Sequence, residues 1–169
     1  MGFVYLYTGG GAGKTTNALG LALRCIGHGQ KVVIIQFLKG QKNTGEVKFQ
    51  DILPEQYEIY LFGTPDFVDP KHLRPEDYEL AHQGVEFAKK KIKEEPDLFV
   101  LDEVNIAAAG GLVKIKDILK LLEDIPEKTT VVMTGRFAPR EFLERADFVN
   151  EIIDLKHTKD IPYTKGIQY

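Results

Sequence analysis

Six short apolar runs divide the chain, and the segments between them carry apolar residues at helical spacing. The runs are FVYLYT (3–8), KVVIIQFL (31–38), YEIYLF (57–62), DLFVLDEV (97–104), TTVVMTG (129–135) and FVNEIIDLK (148–156). The strongest runs are apolar throughout rather than alternating, which is typical of strands buried on both faces of a parallel sheet. We therefore predict a strand at each run, with most of the strands in one parallel sheet.

The intervening segments predict helices, at 14–26, 75–93, 114–122 and 139–146. The first ends at the sequence GHG, where Gly27 or Gly29 can adopt the left-handed conformation that commonly ends a helix. Because strands and helices alternate, we expect an α/β fold with a mostly parallel sheet and helices on both faces. The length of 169 residues suits a single domain over 1–169.

Composition narrows the class of protein. The chain has 22 Lys and Arg residues against 25 Asp and Glu residues, a formal net charge of −3, so it has no overall attraction for nucleic acid. No apolar stretch reaches the roughly 20 residues of a membrane span, and the chain starts as a strand rather than as a signal peptide. With Cys25 as its one cysteine, it has no internal disulfide or multi-cysteine zinc site. We expect a cytoplasmic protein that binds neither nucleic acid nor membrane.

The segment TGGGAGKTT (8–16) lies between the first apolar run and the first predicted helix. It fits the end of the phosphate-binding pattern G-x-x-x-x-G-K-[ST], although Thr8 stands at the position of the first Gly. Its glycines allow backbone N–H groups to turn inward, Lys14 offers an ammonium to phosphates, and Thr15 offers a hydroxyl to Mg²⁺. A glycine-rich turn that only begins a helix is the alternative. The predicted nucleotide-binding residues here are Gly9, Gly10, Gly11, Ala12, Gly13, Lys14, Thr15 and Thr16.

An acidic pair, Asp102 and Glu103, follows the apolar residues of LFVLDEV. At the end of a strand beside a phosphate-binding loop, one carboxylate can hold a metal directly or through water, and the other can orient a water or a reactant. The alternative is an acidic pair near solvent with no ligand. Together with the glycine-rich loop, the pair favours a nucleotide site.

These segments resemble the ATP:corrinoid adenosyltransferases, the family that makes the cobalt–carbon bond of coenzyme B12. The similarity covers most of the chain and includes TGGGAGKTT, GHG (27–29), QFLKG (36–40), FGT (62–64), VLDE (100–103), TGR (134–136), LKH (155–157) and KGIQY (165–169). The resemblance implies a P-loop fold of the RecA-like kind, usually a homodimer. It also implies transfer of the 5′-deoxyadenosyl group of ATP to Co(I) of a reduced corrinoid, with release of triphosphate.

The resemblance further implies roles for individual residues. Lys14, Thr15 and Glu103 would act in catalysis by taking up the charge that grows on the triphosphate. Mg²⁺ would bind through Thr15 and Glu103, with Asp102 as a further metal ligand. Arg24 matches an arginine near the phosphates, or is a plain surface charge.

The corrinoid contact is predicted in the sequence GTPDFVDP (63–70), where Phe67 and Val68 are candidates to displace the lower axial ligand of the corrinoid. Phe67 is equally well interpreted as an anchor of its own loop. The Trp expected nearby in better-known members is absent, because the chain contains no Trp. Arg136 contacts nucleotide, a partner subunit or the sheet edge. A transient contact with a reductase that supplies the electron is also implied.

Two other functions remain open on the sequence alone. A small-molecule or nucleoside kinase uses the same loop, but a kinase lid normally carries several arginines, and the segment 39–74 has only Arg74. A P-loop ATPase that works as a switch or motor normally has a basic face, and none is evident in this sequence.

Overall fold

The computed structural model describes residues 2–66, 72–158, 162 and 164–167, which build a six-stranded sheet. The strands are β1 (Val4–Thr8), β2 (Val32–Phe37), β3 (Tyr57–Phe62), β4 (Leu98–Asp102), β5 (Thr130–Thr134) and β6 (Phe148–Glu151). The helices are α1 (Lys14–Gly27), α2 (Gly45–Lys48), α3 (Pro75–Lys91), α4 (Val104–Ala109), α5 (Ile115–Glu123) and α6 (Arg140–Arg145), with 3₁₀ turns at Phe49–Asp51 and Ile92–Glu94.

The sheet is parallel throughout, in the order β3-β2-β4-β5-β1-β6. Strands β2 and β4 each have a neighbouring strand on both sides, and every residue of both is buried. This burial explains why their sequences are apolar throughout rather than alternating. The predicted α/β class with a parallel sheet is confirmed.

Helices cover both faces of the sheet. On one face, α1 packs through Ala18 and Ala22 against Ile34 and Val100. On the other face, α3 to α6 pack against a cluster that includes Phe37, Phe99, Ile118, Leu122 and Phe142. Apolar area removed from water on two faces is the main stabilising contribution in such a layered fold.

Strand β6 differs from the prediction. The apolar run extends to residue 156, but the strand ends at Glu151, and all four of its residues are exposed at the edge of the sheet. Beyond the strand, the Ile152 carbonyl accepts a hydrogen bond from the Gly11 N–H (2.8 Å), so the chain crosses the glycine-rich loop. Of the apolar residues after Glu151, Ile152 packs against the core on the α1 side of the sheet, whereas Ile153 and Leu155 are exposed.

Helix boundaries agree with the prediction within one to two residues, apart from two short helices, α2 and α4, that it lacks. Val104 is predicted to end a strand but begins α4. Gly29, with φ 73°, takes the left-handed conformation after α1, whereas Gly27 is still helical. Within the described residues, none of the helices combines the length and the apolar character that a membrane span requires.

Candidate nucleotide-binding site

The glycine-rich loop connects β1 to α1, as the pattern predicts. Gly13 has φ 103° and precedes the first turn of α1, where no side chain caps the helix. Gly9 has φ 98°, and a Cβ atom there would lie 2.3 Å from the Ile152 carbonyl oxygen. A glycine is therefore required at position 9 both by the backbone conformation and by the close passage of the chain after β6.

One backbone amide of the loop already binds an anion. The Ala12 N–H donates to Oδ1 of Asp154 at 3.0 Å, and Asp154 comes from the segment after β6. A carboxylate oxygen at this position stands for the kind of oxygen that a phosphate would present. A backbone amide placed this way, in front of α1 with the partial positive charge of its N-terminus, can donate to an oxyanion.

Lys14 is the buried cation of the loop. Its Nζ donates to the Gly9 carbonyl at 2.9 Å and to the Gly11 carbonyl at 2.5 Å, which draws the ammonium back into the loop. Burial lowers the pKa of Lys14, and the nearby charge of Glu103 opposes that effect. The ammonium is held beside the loop amides, where a phosphate would contact both.

The hydroxyl of Thr15 joins this loop to the centre of the sheet. It donates to Oδ1 of Asp102 at 2.8 Å, and Thr134 at the end of β5 donates to the same oxygen at 2.6 Å. Strand β5 lies between β4 and β1, so its terminal threonine bridges the gap between the acidic strand and the loop.

Asp102 accepts two further hydrogen bonds, through its other carboxylate oxygen. Gln36 Nε2 donates to Oδ2 at 3.1 Å, and Lys39 Nζ donates to it at 2.7 Å. Burial alone would raise the pKa of Asp102, but Lys39 and the surrounding donors lower it. The carboxylate therefore remains ionised although it is fully buried.

Glu103 has a different environment from that of its neighbour. Its backbone has φ 61°, an uncommon left-handed conformation for a residue with a side chain, and its N–H donates to Thr134 Oγ1 at 3.0 Å. Its carboxylate lies 3.9 Å from Lys39 Nζ. Burial and the charge of Asp102 raise the pKa of Glu103. Strain of this kind, at the end of a strand that borders a cleft, is common in functional sites.

These groups meet in a cleft of about 710 Å³ at the carboxyl edge of the sheet. Its polar side contains Lys14, Thr15, Lys39, Glu103 and Arg136. Its apolar side is formed by α1 and by the segment that follows α2, through Leu19, Ala22, Leu23, Ile26, Phe49 and Tyr57. Ligands bind at this edge in open α/β sheets, so the cleft is the candidate functional site.

The structure brings most of the predicted site residues together. Residues 11–16 and Glu103 line the cleft, and Asp102 lies directly beneath them. Gly9 lies against the chain after β6, and Gly10 is exposed at the outside of the loop.

The remaining candidates, Arg24, Phe67, Val68 and Arg136, have different outcomes. Arg24 is exposed on α1, ten residues beyond Lys14 or about 15 Å along the helix, and is absent from the described cleft lining. Phe67 and Val68 lie outside the described residues. Arg136, for which three roles were open, is exposed and lines the cleft.

The sequence did not identify Gln36, Lys39 or Thr134 as site residues. Thr134 ends β5 and Lys39 follows β2, while the polar Gln36 lies inside the fully buried β2 and is the one local signal of the cluster. Their convergence depends on the strand order, because β2 and β5 both flank β4. That order is a property of the fold and not of any single segment.

The residues present fit a magnesium ion. The Thr15 hydroxyl and the Asp102 carboxylate already bind a cation, the Lys39 ammonium, at 2.9 and 2.7 Å. Hard oxygen donors of this type suit Mg²⁺, which binds through one or two carboxylates, water and substrate phosphates. In the described part of the chain, no group of three or more His, Cys, Asp or Glu side chains forms a metal site. A metal here would therefore depend on the nucleotide for further oxygens.

Comparison with known proteins agrees with this geometry. The family model described as "ATP:corrinoid adenosyltransferase BtuR/CobO/CobP" matches residues 1–169. A corrinoid adenosyltransferase of Escherichia coli (strain K12) is 33% identical over 171 residues, which cover 99% of this chain and 86% of that protein. A corrinoid adenosyltransferase of Pseudomonas aeruginosa is 34% identical over 99% of this chain and 84% of its own length, and the corrinoid adenosyltransferase CobA of Salmonella typhimurium is 32% identical over 99% of this chain and 86% of its own length.

Proposed function

The chain belongs to the ATP:corrinoid adenosyltransferase family, so its substrates are ATP and a corrinoid, and we propose that its cleft holds ATP with C5′ directed toward the corrinoid. In this proposal the glycine-rich loop binds the triphosphate. The 5′-deoxyadenosyl group passes to Co(I) of the reduced corrinoid, and triphosphate is released.

The chemistry requires little from protein acids or bases. The electron pair of Co(I) attacks C5′, the C5′–O bond breaks, and its electrons leave with the triphosphate while cobalt becomes formally Co(III). Because the nucleophile belongs to the corrinoid, no general base is needed. The protein must hold C5′ in line with cobalt and stabilise the charge on the leaving group.

One observation carries the proposal: the loop amides, Lys14 and the acidic cluster all border the same cleft, which also has an apolar wall. The Ala12 amide donates to a carboxylate oxygen of Asp154, and Lys14 lies buried in the same loop. Leu19 and Phe49 also line the cleft. A lining that combines charged and apolar side chains matches a ligand that is polyanionic at one end and a flat ring system at the other.

We also propose a magnesium ion in this site, bound through Thr15 and Glu103, with Asp102 as a further ligand. The ion would neutralise charge on the triphosphate when bound. The raised pKa of Glu103 supports the assignment, since no side-chain donor of the described residues lies as close to its carboxylate as those of Asp102 do, and an added cation would stabilise its charge.

Several expectations from the family resemblance stay proposals. These are a phosphate contact for Arg24, displacement of the lower axial ligand by Phe67 and Val68, a homodimer, a transient contact with a reductase, and a cytoplasmic location.

The kinase alternative loses support from the position of Arg74. Its Nη2 donates to Thr64 Oγ1 at 2.8 Å, and its side chain also pairs with Asp77 at the start of α3. This arginine therefore fixes the start of a helix, whereas a kinase lid needs arginines that reach the γ-phosphate. We retain adenosyl transfer as the function.

The test is to incubate the full chain with ATP, Mg²⁺ and chemically reduced cobalamin and to identify both products. Triphosphate, detected by phosphorus NMR, should appear together with an adenosyl–cobalt species detected by its absorption spectrum. The same mixture without corrinoid is the control. Formation of ADP or free phosphate in that control, with no adenosyl–cobalt species in the complete mixture, would overturn the proposal.

A further inference from the structure

Lys39 lies where a metal ion would be expected. Its Nζ is 2.9 Å from Thr15 Oγ1, 2.7 Å from Asp102 Oδ2 and 3.9 Å from Glu103 Oε1. These three oxygens belong to the residues proposed to hold Mg²⁺. Two cations at these oxygens repel each other and compete for the same lone pairs, so each weakens the binding of the other.

The backbone fixes Lys39 in this position. The preceding residue, Leu38, has φ 61°, an uncommon conformation for a residue with a side chain, and its N–H donates to the Phe62 carbonyl at 3.0 Å. The chain crosses the loop after β3 so closely that a Cβ on Gly63 would lie 2.2 Å from the Lys39 nitrogen. A Cβ on Gly40 would lie 2.3 Å from the Gly63 carbonyl oxygen. Lys39 is thus directed at Asp102 by a strained turn between two crossing loops.

Asp102 needs a cation at all times. It is fully buried, and the other groups that hydrogen-bond to its carboxylate in the described structure, from Thr15, Gln36 and Thr134, are neutral. An ionised carboxylate in such a place is stable only with an opposite charge close by. Lys39 supplies that charge, and its side chain is about one-third exposed and lines the cleft, toward which it can be displaced.

We propose that Lys39 is a built-in counter-ion that excludes metal from the site until nucleotide arrives, and that metal with nucleotide displaces its ammonium from Asp102. The idea rests on the proposed magnesium site. Since metal alone would have to remove a tethered cation without the help of phosphate oxygens, it binds weakly. Nucleotide adds oxygens for the metal and negative charge for the released ammonium, so the two ligands bind together.

The test measures the affinity of the full chain for Mn²⁺ without nucleotide or corrinoid. Mn²⁺ replaces Mg²⁺ at oxygen sites, and its binding is followed by electron paramagnetic resonance. Lys39→Met removes the charge and keeps an unbranched side chain. We expect it to bind one Mn²⁺ at least tenfold more tightly than the wild type. Lys42→Met removes an exposed lysine from the same loop and should bind Mn²⁺ as weakly as the wild type. Equal affinity in wild type and Lys39→Met would overturn the proposal.

A second measurement covers the case in which Lys39→Met folds poorly. Thermal unfolding is followed with and without Mn²⁺. The melting temperature of Lys39→Met should be below that of the wild type without metal and should rise on addition of Mn²⁺, while the wild type changes little. A variant that is destabilised and gains nothing from Mn²⁺ would contradict the counter-ion role.

These outcomes do not depend on adenosyl transfer. If the wild type failed to make adenosyl–cobalt but Lys39→Met still bound Mn²⁺ more tightly than the wild type, the proposed function would be wrong and the role of Lys39 would stand. The opposite pattern, active enzyme with no difference in Mn²⁺ affinity, would remove only the role of Lys39.

Discussion

Two clusters of polar and charged side chains give a glutamate opposite environments, Glu103 in one cluster and Glu58 in the other. We call them the cleft cluster (Thr15, Lys39, Asp102 and Glu103) and the outer cluster (Lys31, Glu58, Tyr60, Lys91 and Glu94). In the outer cluster, the Glu58 carboxylate lies 2.8 Å from Lys31 Nζ and 2.7 Å from Lys91 Nζ, and it accepts a hydrogen bond from the Tyr60 hydroxyl at 2.5 Å. In the cleft cluster, Glu103 lies no closer than 3.9 Å to the Lys39 ammonium.

The pKa values of the two glutamates move in opposite directions. Burial alone would raise the pKa of Glu58, but hydrogen bonds from Lys31, Lys91 and Tyr60 bring it down to about 2. Burial and the charge of Asp102 raise the pKa of Glu103. The comparison teaches that the charge of Glu58 is neutralised by hydrogen-bonding partners in the fold, whereas Glu103 is held in a strained conformation and, among the described residues, has only the more distant Lys39 as an ion-pair partner. An unsatisfied carboxylate that borders a cleft is typical of a ligand site.

The largest effect is expected from Lys14→Ala, because Lys14 is the buried cation of the cleft. Loss of its charge should reduce adenosyl transfer by about 3–4 kcal/mol of transition-state stabilisation, or roughly 10²- to 10³-fold in kcat. The measurement is the rate of adenosyl–cobalt formation, with folding checked by circular dichroism. Lys42→Ala, which removes an exposed lysine, serves as the control. A Lys14→Ala enzyme with the wild-type rate of adenosyl–cobalt formation would show that the loop does not take part in the reaction.

Glu103→Gln should separate activity from stability. We expect transfer to fall roughly 10- to 100-fold, the range seen when a group that supports a metal site is lost. The free energy of unfolding should stay the same or rise, since the raised pKa means that the ionised side chain is disfavoured in the fold. Rate assays and denaturant unfolding at neutral pH measure the two effects. A variant that loses stability and keeps its rate would assign Glu103 to the fold alone.

Glu58→Gln is the matched change in the outer cluster, and the opposite result is expected. The free energy of unfolding should fall by about 1 kcal/mol, because Lys31 and Lys91 lose a shared partner that is mostly buried. The transfer rate per folded molecule should not change. Loss of rate without loss of stability would show that the two clusters do not differ in the proposed way.

The smallest effect concerns pH. Because the pKa of Glu58 in the fold lies below its ordinary value of 4.5, folding favours the ionised form. The contribution of Glu58 to stability is therefore complete above pH 4.5 and is lost as the pH falls toward 2. Unfolding of the wild type and Glu58→Gln at a series of pH values should show a stability difference that shrinks over that window. A constant difference would mean that the Glu58 charge is not responsible.

The sequence predicted the parts of the site that are local. The glycine-rich loop is contiguous, so residues 9–16 could be assigned from their pattern, and Asp102 and Glu103 follow a strand that is recognisable from its apolar run. Lys39 and Thr134 could not be assigned in this way, because they approach Asp102 only once β2 and β5 take their places beside β4.

The same distinction explains the edge strand. An apolar run predicts a strand, but only the sheet order reveals that β6 has one neighbour and is exposed. Its following residues pack against the loop at Gly9, a contact between segments that are more than 140 residues apart along the chain. Backbone strain at Leu38 and Glu103 is equally invisible in sequence, since neither residue type favours positive φ.

The direction of the nucleotide in the cleft tests adenosyl transfer most directly. A crystal structure of the full chain with ATP and Mg²⁺ should show the triphosphate along residues 11–16, with C5′ facing the open part of the cleft. If the γ-phosphorus instead faced the open part of the cleft and C5′ were enclosed by protein, the site would be arranged for phosphoryl transfer, and the proposed attack of cobalt on C5′ would be contradicted.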